Sequence, residues 1–346
     1  MPTHSSRPTI DDVAQRAGVS TAAVSFAVNG RPGLAAGTRA RILQAADDLR
    51  WRPSAPARAL TQSRAGAVGL VVVRHADHLE LDDFFVRFLA GVERTLAERE
   101  YALVLHVVSP DARDDLDAYR RLIASGRVDG MLLTDVVLDD PRFELFAESG
   151  LPTVVAGSPW GDCPLPVVET QHARGMAELV GYLVAMGHRA VSFIGGDPVY
   201  EHVAARRWAW IDTMRQAGLD PGLSASVVPE DTAARAATAR LLQGPRRPTA
   251  IVYTSDSLAL AGLGVAHDLG LAVPGDVSIA GFGDSAMACL SSPPLTTVRV
   301  DYADFGQAAT AVLLAEIDGA PRPDVTPAAP ELIVRQSTGY PARQPQ

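Results

Sequence analysis

Short apolar runs alternate with amphipathic segments along most of this 346-residue chain, and no other feature constrains its fold as strongly. The runs AVGLVVV (67–73), YALVLHVV (101–108) and TAIVYTS (249–255) have the length and the β-branched content of strands. Segments such as FFVRFLAGVERTLAERE (84–100) carry apolar residues at helical spacing. Strands that alternate with helices predict parallel sheets that are covered by helices on both faces.

The predicted strands are too numerous for one compact sheet. Hydrophobic residues make up 47% of the chain, which is enough for a sizeable core. We therefore predict the α/β fold class, with two doubly wound parallel-sheet subdomains and a ligand cleft at the carboxyl ends of their strands. The predicted N-subdomain comprises residues 66–168 and 296–325, and the C-subdomain comprises residues 169–295 and 326–346.

The first 52 residues show a different pattern, which predicts a separate N-terminal domain. Thr9 is placed to cap a helix, and Asp12 follows three residues later, as in a capping box. Gly18 would end this helix, because glycine accepts left-handed backbone geometry. Ser20 is then placed to cap a second helix. This run predicts two short helices that are joined by a tight turn.

The second and third helices of this domain are predicted at about residues 21–28 and 36–50, and a linker follows at residues 53–65. A helix, a glycine-containing turn and a second helix form a helix-turn-helix unit; a plain helical hairpin is the alternative. Residues 1–64 contain nine Arg and four Asp, a net charge of +5, so the remainder carries −14 because the whole chain carries −9. A basic head on an acidic body predicts a polyanionic partner for the head alone.

The cysteines, the N-terminus and the apolar runs argue against a secreted, a zinc-binding or a membrane-spanning protein. Cys163 and Cys289 are the only cysteines and neither lies in a C-x-x-C pair, so we expect neither a disulfide framework nor a zinc site. The N-terminus lacks the apolar segment of a secretory signal, and no apolar run approaches the roughly 20 residues that span a bilayer. We expect a cytoplasmic protein without a membrane partner, a metal or a cofactor.

Six motifs together resemble the LacI/GalR family of transcriptional regulators, and the resemblance extends over residues 8–340. In family order and spacing they are TIDDVAQRAGVSTAAVSFAVNG (9–30), TRARILQAADDLRWRPSAPARAL (38–60), MGHRAVSFIGG (186–196), TSDSLALAGLG (254–264), GDVSIAGFGDS (275–285) and PPLTTVRVD (293–301). The resemblance implies a helix-turn-helix domain that binds operator DNA. It also implies that two subdomains of the periplasmic-binding-protein type follow and bind a small effector between them.

The resemblance also implies which residues contact DNA, through a second helix in the major groove and a hinge helix in the minor groove. By position they are the base readers Thr21, Ala22 and Phe26, the backbone contacts Ser20, Ser25 and Asn29, and the hinge residues Ala57 and Leu60. Packing of Leu60 against the body is the alternative. Phe26 stands where many members have arginine, so we expect contacts with thymine methyl groups in place of an Arg–guanine bond. Ala35 replaces the serine that usually caps the third helix.

For the body, the resemblance implies an effector that is most often a sugar. The matching positions are Asp83, Phe84, Arg206, Asp256 and Asp284. Three of them have structural alternatives: a salt bridge for Arg206, a helix cap for Asp256 and core packing for Phe84. Gly157 and Gly283 occupy positions where an acid often binds the sugar, so the contact set of the lactose type is not intact.

We therefore predict a transcriptional regulator, a repressor of carbohydrate genes, that binds a roughly palindromic operator as a homodimer. No leucine heptad follows the last predicted strand, so a tetramer is not expected. One alternative is a sugar-binding protein without a role at DNA. A second alternative is a serine esterase, because Ser285 in GFGDS resembles a nucleophile motif. The loop that contains His75 and His78 is interpreted as a solvated polar loop and not as a metal site.

Overall fold

A computed structural model describes residues 8–28, 30–52, 64–73, 83–109, 116–227 and 231–341. The chain divides after Gly66 into a small N-terminal unit and a large α/β unit. Within the described ranges, no helix is both long enough and apolar enough to cross a membrane.

The N-terminal unit consists of three helices around a small core. They are α1 (Ile10–Ala17), α2 (Thr21–Val28) and α3 (Ala36–Asp48). Val13, Val24 and Ile42, one from each helix, are fully buried and pack together with small alanines. This core is apolar and compact because each helix contributes an aliphatic residue and alanines let the helices approach closely.

The ends of these helices follow the predicted caps. The Thr9 hydroxyl accepts a hydrogen bond from the Asp12 N–H, and the Thr9 N–H donates to Asp12 Oδ2 at 2.7 Å, so the capping box is confirmed. Gly18 ends α1 with φ of +64°, and the Ser20 hydroxyl accepts from the Ala23 N–H at 3.3 Å. Ala35 precedes α3 and makes no side-chain cap, as its replacement of serine predicts.

The first half of the α/β unit, here the N-subdomain, is a parallel five-stranded sheet in the order β2-β1-β3-β4-β5. Its strands are β1 (Ala67–Val73), β2 (Ala102–Val108), β3 (Gly130–Leu133), β4 (Thr153–Ala156) and β5 (Val167–Val168). The intervening helices are α4 (Asp83–Glu98), α5 (Leu116–Ser125) and α6 (Arg142–Ser149). The side chains of β1, β3 and β4 are almost entirely buried, because the helices lie on both faces of the sheet.

The second half, the C-subdomain, repeats this order in a parallel four-stranded sheet, β7-β6-β8-β9. Its elements are α7 (His172–Ala185), β6 (Val191–Gly195), α8 (Glu201–Gln216), β7 (Ser224–Ser226), α9 (Asp231–Gln243), β8 (Ala250–Tyr253), α10 (Asp256–Asp268), β9 (Ser278–Ala280) and α11 (Ala286–Leu290). The carboxyl ends of its strands therefore lie at one edge of the sheet, where loops carry polar side chains.

The last elements connect the two halves. Strand β10 (Thr297–Arg299) pairs antiparallel with β11 (Glu331–Ile333), and between them α12 (Tyr302–Asp318) packs against α4 in the N-subdomain. The backbones of the two helices lie in direct contact at Gly306, which has no side chain. A Cβ at this position would overlap the Phe88 carbonyl oxygen. The segment from β10 to β11 thus returns the chain to the N-subdomain, where α12 packs against α4.

Candidate DNA-binding surface and effector site

Helix α2 exposes the residues that were predicted to read DNA. Ser20, Thr21, Ala22 and Phe26 are exposed and Ser25 is half-buried, whereas the core residues Val24 and Ala27 face inward. The predicted contact Asn29 and the predicted hinge residues Ala57 and Leu60 lie outside the described residues. The exposed face of α2 is thus formed of small, uncharged side chains and the Phe26 ring.

Phe26 is the large side chain on this face. It is 40% exposed, and the Arg31 guanidinium lies over its ring at 5.8 Å from the centroid. A cation above an aromatic ring is attracted to the negative face of that ring. The ring therefore has a defined neighbour in the free protein, and its edge remains available for apolar contacts.

Several arginines of the N-terminal unit bind protein oxygens. Arg39 Nη1 donates to the Ala27 carbonyl at 2.9 Å and Arg41 Nε donates to the Ala17 carbonyl at 3.1 Å, so both stabilise helix carboxyl ends. Arg16 pairs with Asp48 at 2.9 Å. The positive charge that we expected to attract phosphates is thus partly used inside the domain.

In the α/β unit, Arg206 occupies the centre of a buried polar cluster at the carboxyl edge of the C-subdomain sheet. Its Nη1 donates to the Thr254 carbonyl at 2.8 Å, immediately after β8. Its guanidinium carbon lies 4.0 Å from the centroid of the Phe282 ring. Within the described chain, Arg206 makes no salt bridge, so the structural alternative for this residue is not observed.

His172, the first residue of α7, holds the other end of this guanidinium. Arg206 Nη2 lies 3.0 Å from His172 Nδ1, and Thr170 Oγ1 lies 2.6 Å from His172 Nε2. Because arginine only donates, Nδ1 must accept, and Nε2 therefore carries the ring proton. Burial lowers the pKa of His172 well below its usual range, and the charges of Arg206 and His202 lower it further. A neutral imidazole thus fixes the orientation of Arg206.

Asp256 does not cap α10, so the capping alternative was wrong. Ser255 is the cap, since its hydroxyl accepts from the Leu258 N–H at 3.3 Å. The Asp256 carboxylate instead accepts from the Ser285 N–H at 2.6 Å and from the Thr297 hydroxyl at 2.5 Å. Burial raises its pKa and these hydrogen bonds lower it in part. Asp256 therefore fixes the loop that follows β9.

Asp284 lies in this loop, and both of its carboxylate oxygens bind arginines. Its distances are 2.7 Å to Arg299 Nε on β10 and 2.5 Å to Arg335 Nη2 beyond β11. Burial raises the pKa of Asp284, but the Arg335 and Arg299 hydrogen bonds outweigh burial and hold the pKa below its usual value. In this structure Asp284 joins the loop after β9 to the segments that connect the subdomains.

Asp83 and Phe84 are the first two residues of α4 in the N-subdomain. Asp83 lies 3.3 Å from Arg87, whose Nη1 also donates to the Gly283 carbonyl at 3.1 Å. The half-buried Phe84 ring packs edge-on against Tyr302 at 5.1 Å. The core-packing alternative for Phe84 is thus observed. Arg87 and Tyr302 connect the predicted effector residues: Arg87 contacts Asp83 and the Asp284 carbonyl, and Tyr302 contacts Phe84, Arg87 and Arg206.

A cavity of about 270 Å³ lies at the carboxyl edge of the N-subdomain sheet. It is lined by Val71 and Val73 of β1, by Thr134 and Asp135 after β3, and by Tyr200 from the C-subdomain, among others. None of the five predicted effector residues lines it. Sequence reasoning missed these positions, although their place directly after strand ends could have indicated them.

Glu201, the first residue of α8, is a second feature that sequence reasoning missed. Its backbone N–H donates to the Val136 carbonyl at 2.9 Å, and Tyr200 forms a β-bridge with Val137. The Ser158 N–H donates to Glu201 Oε2 at 3.3 Å. Since Val136, Val137 and Ser158 belong to the N-subdomain, the start of α8 touches both halves. An acid in the first turn of a helix is common, so its sequence position alone did not distinguish it.

Comparison with known proteins gives the family. The family model of "Bacterial regulatory proteins, lacI family" matches residues 9–54, and that of the periplasmic binding protein-like domain matches residues 180–338. The HTH-type transcriptional regulator MalR of Streptomyces coelicolor is 34% identical over 94% of this chain and 95% of its own length. The helix-turn-helix match argues against a sugar-binding protein without a role at DNA.

Solved structures agree in fold. A complex of the transcriptional regulator CelR with cellobiose is 28% identical, with a TM-score of 0.70 over 96% of this chain and all of its own. A lac repressor dimer bound to operator and the anti-inducer ONPF has a TM-score of 0.84 over 96% of this chain and 99% of its own, and at 23% identity it shows the shared fold. The relatives compared with this chain are transcriptional regulators, and the Ser285 backbone N–H donates to the Asp256 carboxylate. The chain belongs to the LacI family of bacterial transcriptional regulators.

Proposed function

We propose that this regulator binds a roughly palindromic operator as a homodimer in the cytoplasm, and that a small effector, a sugar, changes its operator affinity. The observation that carries the effector assignment is Arg206. It is 6% exposed and rigidly held at the carboxyl edge of the C-subdomain sheet. Within the described residues its Nε has no hydrogen-bond partner. A buried donor of this kind is suited to a ligand oxygen, because an unpaired buried polar group is costly.

The exposed face of α2 supports the proposal for DNA. Thr21, Ala22 and Phe26 would contact base edges and thymine methyl groups, while Ser20, Ser25 and Asn29 would contact the backbone. Ala57 and Leu60 would enter the minor groove and add specificity through deformation of the duplex. The small side chains of α2 allow a close approach to the floor of the major groove.

In the effector site, Arg206 is the residue that we propose binds the ligand directly. Asp83, Phe84, Asp256 and Asp284 already contact protein groups, so we propose that they shape the walls around it. Cellobiose in the CelR complex supports a sugar as the ligand, because that regulator is 28% identical to this chain. An effector that contacts both proposed subdomains would favour one relative orientation and would thereby change operator affinity.

The proposal is tested with full-length protein and the DNA upstream of its own gene. Fluorescence anisotropy measures the operator Kd, first without effector and then with neutral mono- and disaccharides. We expect specific binding and a change in Kd with at least one sugar. Arg206→Ala should remove the response to that sugar, and the half-buried neighbour Arg207→Ala is the matched control. Absence of DNA binding at low salt would refute a regulator, whereas binding that no sugar changes would refute the effector class.

A further inference from the structure

The carboxylate of Glu201 lies where the two subdomains meet. The residue is 5% exposed, and its Oε2 accepts from the Ser158 N–H, just beyond the end of β4. Ser158 is itself held, because its hydroxyl donates to the Thr170 carbonyl at 3.2 Å. One oxygen of Glu201 is therefore anchored to the N-subdomain, while the backbone of Glu201 belongs to a C-subdomain helix.

The other oxygen of Glu201 is buried, and in the described part of the chain no donor reaches it. Burial raises the pKa of Glu201 to about 7; the Ser158 N–H and the Arg206 charge lower it, and Glu169 raises it. A glutamine or an apolar side chain would fill the same space at a lower cost, since a buried charge without a full set of donors destabilises the fold. A ligand that donates a hydrogen bond would remove this cost.

Arg206 lies on the same helix, five residues later, and it also has a buried polar atom without a hydrogen-bond partner. Its Nε is a buried donor without a described acceptor, whereas Glu201 Oε1 is a buried acceptor without a described donor. A hydroxyl-bearing ligand supplies both groups, because a hydroxyl donates and its oxygen accepts. An anionic ligand would meet the negative charges of Glu201 and Glu169.

The acidic positions that the family resemblance suggested for the effector do not offer a free carboxylate oxygen. Gly157 after β4 and Gly283 after β9 have no side chain, and Asp284 is bound by two arginines. Asp256 is bound by Ser285 and Thr297. Glu201 differs from these positions because one of its carboxylate oxygens is buried and has no hydrogen-bond donor among the described residues.

We propose that Glu201 is the residue that selects the effector: its free oxygen accepts a hydroxyl of a neutral polyhydroxy compound and excludes anionic analogues. This inference rests on the proposed function, since it concerns the same effector site. The contact would connect the ligand, through Glu201 and Ser158, to both subdomains. Ligand binding would thereby be transmitted directly to the junction.

The test compares wild type, Glu201→Gln and Glu178→Gln, an exposed glutamate of α7 that pairs with Arg174. The probes are glucose, galactose, maltose and cellobiose as neutral sugars, and glucuronate and glucose 6-phosphate as anionic ones. Each is titrated into the protein–operator complex, and thermal melting of each variant confirms folding. We expect wild type and E178Q to respond to a neutral sugar, and E201Q to bind that sugar at least about tenfold more weakly.

Selectivity separates ligand contact from a merely structural role. At pH 8, where Glu201 of the wild type is ionised, E201Q should bind anionic sugars better relative to neutral ones, because the repelling charge is gone. If E201Q binds the active sugar as wild type does, with unchanged selectivity, the proposal for Glu201 is overturned and the effector site stands. If wild type responds only to anionic sugars, Glu201 is likewise excluded. If wild type responds to no sugar, both proposals fail.

Discussion

Replacement of Glu201 by glutamine should change how the stability of the free protein depends on pH. Burial raises the pKa of this carboxyl from 4.5 to about 7. The folded state therefore binds a proton more tightly than the unfolded state does. The stability that this proton contributes is complete below about pH 4.5 and is lost as the pH rises through 7.

The size of the effect follows from the shift. One pKa unit corresponds to about 1.4 kcal/mol, so a shift from 4.5 to about 7 sets an upper bound of about 3 kcal/mol. Wild type should lose up to this amount of unfolding free energy between pH 5 and pH 8 through Glu201. Glutamine has no proton to lose, so E201Q should lack this component of the slope.

Other groups also change protonation between pH 5 and pH 8, and their contribution to stability differs from that of Glu201. His172 has a lowered pKa, so below about pH 6.5 its unfolded state takes up a proton that the folded state resists. This contribution destabilises the protein on the acid side, which is opposite to the effect of Glu201. Because wild type and E201Q both contain His172, the difference between their stabilities largely removes it.

The assay is urea unfolding of wild type, E201Q and the exposed control E178Q at pH 5, 6, 7 and 8. The stability of E201Q relative to wild type should rise by up to about 3 kcal/mol from pH 5 to pH 8. E178Q should run parallel to wild type. Parallel curves for E201Q and wild type would show that Glu201 is ionised in the folded state at all these pH values. Burial would then not raise the pKa of Glu201.

Three further predictions concern the DNA-binding domain and the helix packing. Phe26→Ala should reduce discrimination against altered base pairs at one operator position by about tenfold in competition binding. The control is Leu43→Ala, a similarly exposed residue of α3, which should not change this discrimination. Equal losses of discrimination in the two variants would show that Phe26 does not read a base. Ala35→Ser should raise the unfolding free energy of the N-terminal domain by about 1 kcal/mol, because it supplies the missing cap of α3, and an unchanged melt would contradict this. Gly306→Ala should lower the unfolding free energy by about 2 kcal/mol or more, since its Cβ would overlap the Phe88 carbonyl; a stability equal to wild type would show that α4 and α12 can separate.

Much of the fold could be predicted because local signals decide it. Thr9, Asp12 and Gly18 determine the ends of α1 through hydrogen bonds within a few residues, and the periodicity of apolar residues distinguishes strands from helices. The order of strands in each sheet follows from parallel crossover connections. These features need no knowledge of distant contacts.

The site was less predictable because its partners are distant in sequence. Arg206 could be placed by resemblance, but its contact with His172 joins positions 34 residues apart. Asp256 could be a helix cap or a ligand from sequence alone; the bond to Thr297 depends on a strand 41 residues later. Glu201 looked like an ordinary first-turn acid, because only tertiary structure shows that it is buried against Ser158.

Control of operator affinity by an effector is tested by measuring effector binding to the free and to the operator-bound protein. Isothermal titration calorimetry gives the affinity of the active sugar in each state, and anisotropy gives the operator affinity with and without that sugar. Because linkage is reciprocal, the two ratios must be the same factor, in the range of about 5- to 150-fold for a typical allosteric coupling. A sugar that binds equally well to both states would contradict an effector-controlled regulator.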